Sequence, residues 1–300
     1  MPDIPDNTAS SPSGPRLADT GERTFQRPPR AELGHAPRLR HLFNRGNART
    51  LIVPMDHGIS MGPVPGLFDM RQTVQQMSGT GVNGVVVHKG LVRSIAPVLR
   101  TAPDVGLIIH LCGSTSEAPD PNEKQLVCTV QEALAQGADG VSVHVNIGAA
   151  TEGSMLRDFA EVAEQCHNLK VPLLAMVYAR GPRQRVKFSE SFNAHCARVA
   201  YEIGADYVKV QYTGTREGFA QVVSAVPIPV LIAGGPKMND DREVLQMVWE
   251  SLDAGAAGIS IGRNVFGADN VPQLCRALAG LIHDNLSVDD AVEILNTKVS

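Results

Sequence analysis

One pattern recurs eight times along the chain and constrains its fold more than any other feature. From Thr50 onward, a short apolar run is followed by glycine, proline or polar residues and then by a stretch with helical spacing. The apolar runs cover residues 51–55, 84–88, 105–111, 140–145, 171–177, 207–210, 229–233 and 258–261. Near-continuous apolar strands that alternate with helices indicate parallel strands buried on both faces. Eight such units predict a (βα)8 TIM barrel; the alternative, an open doubly wound sheet, lacks its typical GxGxxG turn here.

Helices are expected between and after these runs. The predicted segments are 67–79, 90–99, 122–136, 153–168, 189–203, 215–225, 240–254 and 270–284. Asn122 and Ser189 are the expected N-caps of two of them. The glycines expected to end helices just before a strand are Gly137, Gly204 and Gly255. A basic amphipathic stretch at 37–44 is predicted to plug the bottom of the barrel, and an extra terminal helix is predicted after Ser287.

The first part of the chain has a different composition from the rest. Residues 1–35 are rich in Pro, Ser, Asp and Arg and lack apolar periodicity. They are predicted to form a disordered, flexible N-terminal arm, either dispensable or ordered across a neighbouring subunit. Residues 36–300 are predicted to form a single catalytic domain.

Charge and cysteine usage limit the partners and the compartment. A net charge of −4 gives no reason to expect nucleic acid or an anionic membrane as a partner. No apolar run approaches the roughly 20 residues that span a bilayer, and the N-terminus does not resemble a signal peptide. Five cysteines without a CxxC pair suit reduced thiols. These features predict a cytoplasmic enzyme.

Lys209 is the most informative residue at the carboxyl ends of the strands, where active sites of this architecture lie. Val208 and Val210 flank it, so alternation turns Lys209 into the barrel if the valines face the helices. Burial disfavours a charged amine, lowers its pKa and frees it as a nucleophile toward carbonyl carbons. The other interpretation is a lysine that is ion-paired with Asp56 for stability alone.

The ends of the last two strands indicate a phosphate site. Gly234 and Gly235 allow backbone N–H groups to approach an anion, and Gly262 precedes the positive charge of Arg263. Loops after strands seven and eight are the usual phosphate site of TIM barrels. The expected ligand is therefore a phosphorylated carbonyl compound, although strand-end glycines also occur in tight turns.

Two further side chains are candidates for proton transfer. An inward Asp56 can move a proton while a carbinolamine forms and dehydrates, and the Tyr178 hydroxyl can serve the aldol oxygen. Either residue could instead be a satisfied polar group of the core.

Seven motifs together resemble the archaeal-type class I aldolases (DeoC/FbaB-like) over residues 38–300. They are PMDHGISMGP (54–63), VHKG (87–90), HVNIG (144–148), VYARG (177–181), VKVQYTG (208–214), IAGGPK (232–237) and GISIGRNVF (258–266). The resemblance implies that Lys209 is the Schiff-base lysine, Tyr178 the acid/base tyrosine and Asp56 the aspartate of the first strand. It assigns phosphate binding to Gly234, Gly235, Gly262 and Arg263. Ala179 departs from the family pattern, in which proline is expected at this position.

Within the family, the motifs look closer to 2-amino-3,7-dideoxy-D-threo-hept-6-ulosonate synthases than to fructose-bisphosphate aldolases. Those synthases resemble transaldolases that transfer a fragment of a ketose phosphate onto L-aspartate semialdehyde. The alternative that stays open is an aldolase that uses dihydroxyacetone phosphate. It would be either a related synthase that makes an aminohydroxybenzoate precursor or a fructose-bisphosphate aldolase. The resemblance implies small phosphorylated ketone or ketose and aldehyde substrates, a homo-oligomer and no cofactor.

Other polar residues at strand ends are candidate substrate contacts. Arg180, Lys237 or Lys89 is expected to hold the acceptor carboxylate, and His57 and His144 are expected to form hydrogen bonds with substrate. A metal-dependent lyase is a different class of function, because His57, His88, His110 and His144 end four successive strands and imidazole binds Zn²⁺. No metal is expected, since Lys209 would then be unexplained. A phosphosugar isomerase and a non-catalytic sugar-phosphate binder are the remaining alternatives.

Overall fold

The computed structural model describes residues 35–44, 46–181 and 189–297. Helix α1 (His35–Leu42) begins at the last residue of the predicted arm. Nε2 of His35 lies 3.0 Å from the Asp206 carboxylate. The rest of the arm, residues 1–34, lies outside the described residues, so its disorder stays a prediction.

Eight parallel strands close into the predicted barrel. The ten strands are β1 (Thr50–Pro54), β2 (Gly84–Val87), β3 (Gly106–His110), β4 (Cys112–Gly113), β5 (Gln125–Leu126), β6 (Gly140–Ile147), β7 (Leu173–Ala179), β8 (Tyr207–Gln211), β9 (Val230–Ala233) and β10 (Gly258–Ser260). The wall runs β1-β2-β3-β6-β7-β8-β9-β10, and β10 pairs back with β1. Strands β4 and β5 form an antiparallel hairpin that directly follows β3 at the carboxyl end of the barrel.

Helices lie between consecutive wall strands and also follow the last of them. After α1 they are α2 (His57–Met61), α3 (Met70–Met77), α4 (Val92–Leu99), α5 (Val130–Ala135), α6 (Glu152–Leu169), α7 (Glu190–Ile203), α8 (Arg216–Ser224), α9 (Asp241–Asp253), α10 (Arg263–Phe266), α11 (Val271–His283) and α12 (Val288–Asn296). Gly137, Gly204 and Gly255 follow helices with φ of 88°, 114° and 97°, as expected of helix-ending glycines. The predicted extra helix is α12, which Ser287 and Asp290 cap reciprocally.

The predicted helix at 122–136 is wrong in its first half. Helix α5 begins only at Val130, and the Thr129 hydroxyl caps it by accepting from the Glu132 N–H at 3.1 Å. Asn122 instead lies in the turn of the β4–β5 hairpin. Just after this hairpin, Val127 donates its N–H to the Leu111 carbonyl at 2.8 Å, so the chain is still extended there. Ser189 does occupy the N-cap position of α7, but its hydroxyl contacts Ser191 Oγ rather than a backbone N–H.

The lower half of the barrel interior is apolar and is closed by α1, as predicted. Its side chains include Ile52, Val86, Ile108, Leu174 and Tyr207, packed with Leu42 and Phe43 from below. Leu42 is fully buried against the strand-initial glycines, and a Cβ at Gly106 would lie only 2.7 Å from it. Burying one such leucine contributes about 1.5–3 kcal/mol.

No helix in the described ranges is both long and apolar enough to cross a bilayer. All five cysteines are buried free thiols. Burial raises the pKa of Cys112 to about 12 and that of Cys128 to about 11, so neither is an activated nucleophile.

Candidate active site

Lys209 points into the upper half of the barrel from the middle of β8. Its register partners are Met176 on β7 and Leu231 on β9, while Val208 and Val210 belong to the outer core between the strands and the helices. The side chain is buried, and among the described residues no carboxylate oxygen lies within 4.0 Å of its amine. The interpretation of a stabilising ion pair with Asp56 therefore finds no contact to support it.

The surroundings of Lys209 make its amine easier to deprotonate. Burial lowers the pKa most, Asp56 opposes this effect, and the positive charge of Arg263 lowers it further; the resulting pKa is about 8. Roughly a tenth of the amine is thus neutral at pH 7, far more than at the usual pKa of lysine.

Asp56 lies just beyond the end of β1, at the N-cap of α2. Its carboxylate is 3.7 Å from His57 Nδ1 and 3.8 Å from His110 Nε2. Burial alone would raise the pKa of Asp56, but attraction to His110, His57 and Lys209 outweighs burial and lowers the pKa to about 2. Asp56 is therefore a carboxylate at neutral pH.

Three histidines line the wall beside Asp56. The ring centres of His88 and His110 are 5.3 Å apart, and those of His110 and His144 are 6.4 Å apart. Burial lowers the pKa of all three, and for His110 the value is about 4, so these rings are neutral at pH 7. Ser142 Oγ lies 2.8 Å from His110 Nδ1.

The histidines do not converge on one point. In the described part of the chain, no three His, Cys, Asp or Glu side chains come close enough together to hold a metal ion. The metal-dependent alternative therefore finds no ligand set there.

Tyr178 is held at the carboxyl end of β7 by two neighbours. The His144 ring meets its ring edge-on at 5.1 Å, and the Arg180 guanidinium lies 5.6 Å from the ring centre. Burial raises the pKa of Tyr178 well above its usual value, so its hydroxyl stays protonated.

The glycines at the ends of β9 and β10 form a tight corner. Gly235 has a φ of +66°, and a Cβ at Gly262 would lie 2.4 Å from the Pro54 carbonyl oxygen. Arg263 donates to the Gly235 carbonyl at 2.7 Å, and the Asn264 side chain donates to the Gly234 carbonyl at 3.1 Å. Within the described residues, the N–H groups of Gly235 and Gly262 donate to no other group. The corner therefore offers free amides and a guanidinium to an anion.

One of the expected acceptor contacts is ion-paired with a carboxylate, and a second donates to a backbone carbonyl. Lys89 lies in a 3-10 turn (Lys89–Leu91) that directs its amine to Glu132, at 2.9 Å. Lys237 donates to the Gly267 carbonyl. Arg180 and His144 do lie at the mouth, and His57 packs edge-on against Phe266 at 5.2 Å.

Sequence reasoning missed one cation of the mouth, Lys124 of the β4–β5 hairpin. Its amine donates to the Pro121 carbonyl at 3.0 Å and to the Ser114 hydroxyl. It also missed the supports Ser142, Asn146 and Asn264. Ser142 and Asn146 lie on β6, where alternation about His144 could have revealed them. The hairpin residue Lys124 has no such periodicity to reveal it.

A closed parallel barrel with a buried lysine, and with a glycine-rich corner beside an arginine at its carboxyl mouth, is a TIM-barrel enzyme architecture. The chain matches the model of the DeoC/LacD family aldolases over residues 50–268. It belongs to that family and is a class I aldolase, which confirms the resemblance.

Relatives within this family have different names. A 2-amino-4,5-dihydroxy-6-oxo-7-(phosphonooxy)heptanoate synthase of Streptomyces griseus is 41% identical over 86% of this chain and 93% of its own length. A 2-amino-3,7-dideoxy-D-threo-hept-6-ulosonate synthase of Archaeoglobus fulgidus is 39% identical over 87% of this chain and 95% of its own.

The fold is also shared with a solved structure. A Schiff-base-forming fructose-1,6-bisphosphate aldolase is 30% identical, with a TM-score of 0.76, over 82% of this chain and 99% of that one.

Proposed function

We propose that this enzyme adds dihydroxyacetone phosphate to L-aspartate semialdehyde through a Schiff base on Lys209. The observation that carries the proposal is the position of Lys209: it is buried, unpaired among the described residues, and has a pKa of about 8. A buried lysine with a lowered pKa is an activated nucleophile toward a ketone.

The covalent steps begin with attack of the neutral Lys209 amine on the ketone carbon. Water leaves, and the resulting iminium withdraws electrons from the neighbouring carbon, so that a base can remove its proton and leave an enamine. The enamine carbon then bonds to the aldehyde carbon while the aldehyde oxygen takes up a proton. Water hydrolyses the imine, which releases the product and restores the amine.

Asp56 and Tyr178 divide the proton transfers between them. The pKa of Asp56 is lowered to about 2, so it is available as a base and stabilises the iminium charge. The pKa of Tyr178 is raised by burial, which keeps the hydroxyl as a donor to the aldehyde oxygen. Two neighbouring groups whose pKa values are shifted apart are suited to opposite roles.

The corner formed by Gly234, Gly235, Gly262 and Arg263 binds the donor phosphate in this proposal. Arg263 is near enough to Lys209 to contribute to its lowered pKa. In dihydroxyacetone phosphate the phosphate is on the carbon next to the ketone. A phosphate bound at this corner therefore places the ketone carbon near the Lys209 amine.

The product named for the Streptomyces relative matches such a donor. Breaking its C4–C5 bond leaves a four-carbon amino acid semialdehyde and a three-carbon ketone phosphate, which is dihydroxyacetone phosphate. The archaeal relative's named product has no phosphate and a deoxy carbon at position 7. Transfer from a deoxy-ketohexose phosphate, which the motifs around Lys209 favour, is therefore the second candidate.

Mass spectrometry of the products separates these candidates. The enzyme is incubated with L-aspartate semialdehyde and either donor, with Lys209→Met as the background control. The proposal predicts a phosphorylated seven-carbon amino acid from dihydroxyacetone phosphate. An unphosphorylated seven-carbon product formed only from the deoxy-ketohexose phosphate would replace it with the second candidate. Efficient formation of fructose 1,6-bisphosphate with glyceraldehyde 3-phosphate as the acceptor, and no amino acid product, would contradict both.

A further inference from the structure

The β4–β5 hairpin brings a lysine over the mouth of the barrel. The Asn146 side chain on β6 donates to the Asn122 carbonyl of the hairpin turn at 2.6 Å. Asn146 is itself held by His144, whose Nε2 lies 2.9 Å from Asn146 Oδ1. Two residues further along the hairpin, Lys124 donates to the Pro121 carbonyl at 3.0 Å. The hairpin therefore fixes Lys124 beside the histidine wall.

Arg180 reaches the same region from the end of β7. Asn146 and Tyr178 are register partners, so the anchor of the hairpin and the base of the Arg180 segment lie on adjacent strands. The Arg180 guanidinium lies over the Tyr178 ring. The wall order is β3-β6-β7-β8-β9-β10, and Lys209 is on β8. The two cations therefore lie on one side of Lys209, by β6 and β7, and the corner of β9 and β10 lies on the other side.

Neither cation is neutralised. Within the described residues, no carboxylate oxygen lies within 4.0 Å of Lys124 or Arg180, whereas Lys89 is paired with Glu132. Burial lowers the pKa of Lys124, and the charge of Arg180 lowers it further. Lys124 is half-buried and Arg180 is exposed at the mouth, so an anion that enters the mouth can meet both positive charges.

We propose that Lys124, together with Arg180, binds the carboxylate of the acceptor aldehyde and so selects an amino acid semialdehyde. This inference rests on the proposed aldol function for its substrate. In this arrangement the donor phosphate lies on one side of Lys209 and the acceptor carboxylate on the other. The aldehyde end of the acceptor then lies toward Tyr178 and the enamine.

The kinetic test compares acceptors with and without charge. Lys124→Met removes the charge at similar length, Lys124→Arg keeps it, and Arg157→Gln removes an exposed cation of α6 as the matched control. Because a hydrogen bond to a charged group contributes about 1.5–3 kcal/mol, Lys124→Met should raise KM for L-aspartate semialdehyde by about 10–100-fold. Its kcat should change less than about threefold, and its kcat/KM for propanal should stay unchanged. Lys124→Arg should retain most of the wild-type KM.

A binding measurement tests the carboxylate site without requiring the aldol reaction. L-Homoserine has the same skeleton as the semialdehyde, with an alcohol in place of the aldehyde, and its binding is measured by calorimetry. The inference predicts at least about tenfold weaker binding to Lys124→Met than to wild type or Arg157→Gln. Equal binding, or equal losses with propanal and the semialdehyde, would overturn it. If homoserine binding depends on Lys124 but no product forms from dihydroxyacetone phosphate, the proposed function fails and the carboxylate site stands.

Discussion

The two halves of the barrel interior are built from the same strands and have opposite chemistry. On β8, Tyr207 belongs to the lower, apolar half, and Lys209 lies two residues further along in the upper half. On β3, Ile108 is below and His110 above. A step of two residues spans only about 7 Å. Within that distance the interior changes from close-packed hydrocarbon to a set of charged and titratable groups.

The lower half of the barrel mainly stabilises the fold, and the upper half carries the groups of the candidate site. The lower half buries apolar surface, apart from the Tyr207 hydroxyl, and is sealed by Leu42. The upper half keeps a lysine with no partner among the described residues and a glycine corner whose Gly235 and Gly262 amides donate to no described group. Such groups lower stability unless a ligand satisfies them. Substitutions in the two halves should therefore have separable effects on stability and on activity.

The largest effect is expected from Lys209→Met. Loss of the nucleophile should lower kcat/KM by on the order of 10⁴-fold or more. An apolar side chain of similar length removes a buried charge, so the free energy of unfolding should stay equal or rise below pH 8. Denaturant unfolding and product formation are measured on the same preparation. A variant that is inactive and also clearly destabilised would show that Lys209 supports the fold.

Leu42→Ala should produce the opposite result. Removing a fully buried leucine from the glycine-lined base should cost about 2–5 kcal/mol of unfolding free energy. Because the mouth is untouched, kcat/KM at a temperature where the variant is folded should change less than about threefold. Leu169→Ala, at a leucine 38% exposed on α6, is the control and should cost well under half as much. A loss of activity in folded Leu42→Ala would mean that the two halves are coupled.

The smallest expected effect is a shift of the pH profile. The protonated amine of Lys209 cannot attack a ketone, so the rate of imine formation should rise with pH and level off above about 8. Arg263→Met removes a charge that lowers the pKa of Lys209, so the midpoint should move to higher pH. Imine formation with unphosphorylated dihydroxyacetone avoids the lost phosphate contact. A midpoint that stays in place or falls would contradict the assigned influence of Arg263.

The barrel was predictable because its strands repeat a strong pattern. Alternation around Val208 and Val210 was enough to predict that Lys209 points inward. The phosphate site predicted from the strand-end glycines stays a prediction. Lys89 was placed at the mouth by the same reasoning, but a 3-10 turn directs it to Glu132. Lys124 was missed because it lies in a hairpin held by contacts distant in sequence, such as Asn146 with Asn122.

Borohydride trapping tests whether Lys209 forms the Schiff base. Wild-type enzyme is incubated with dihydroxyacetone phosphate and sodium borohydride, digested, and the modified peptide is located by mass spectrometry. The account predicts one reduced adduct, on Lys209, that is absent from Lys209→Met. An adduct on another lysine, or efficient aldol turnover without any trapped adduct, would contradict the assignment of Lys209 as the nucleophile.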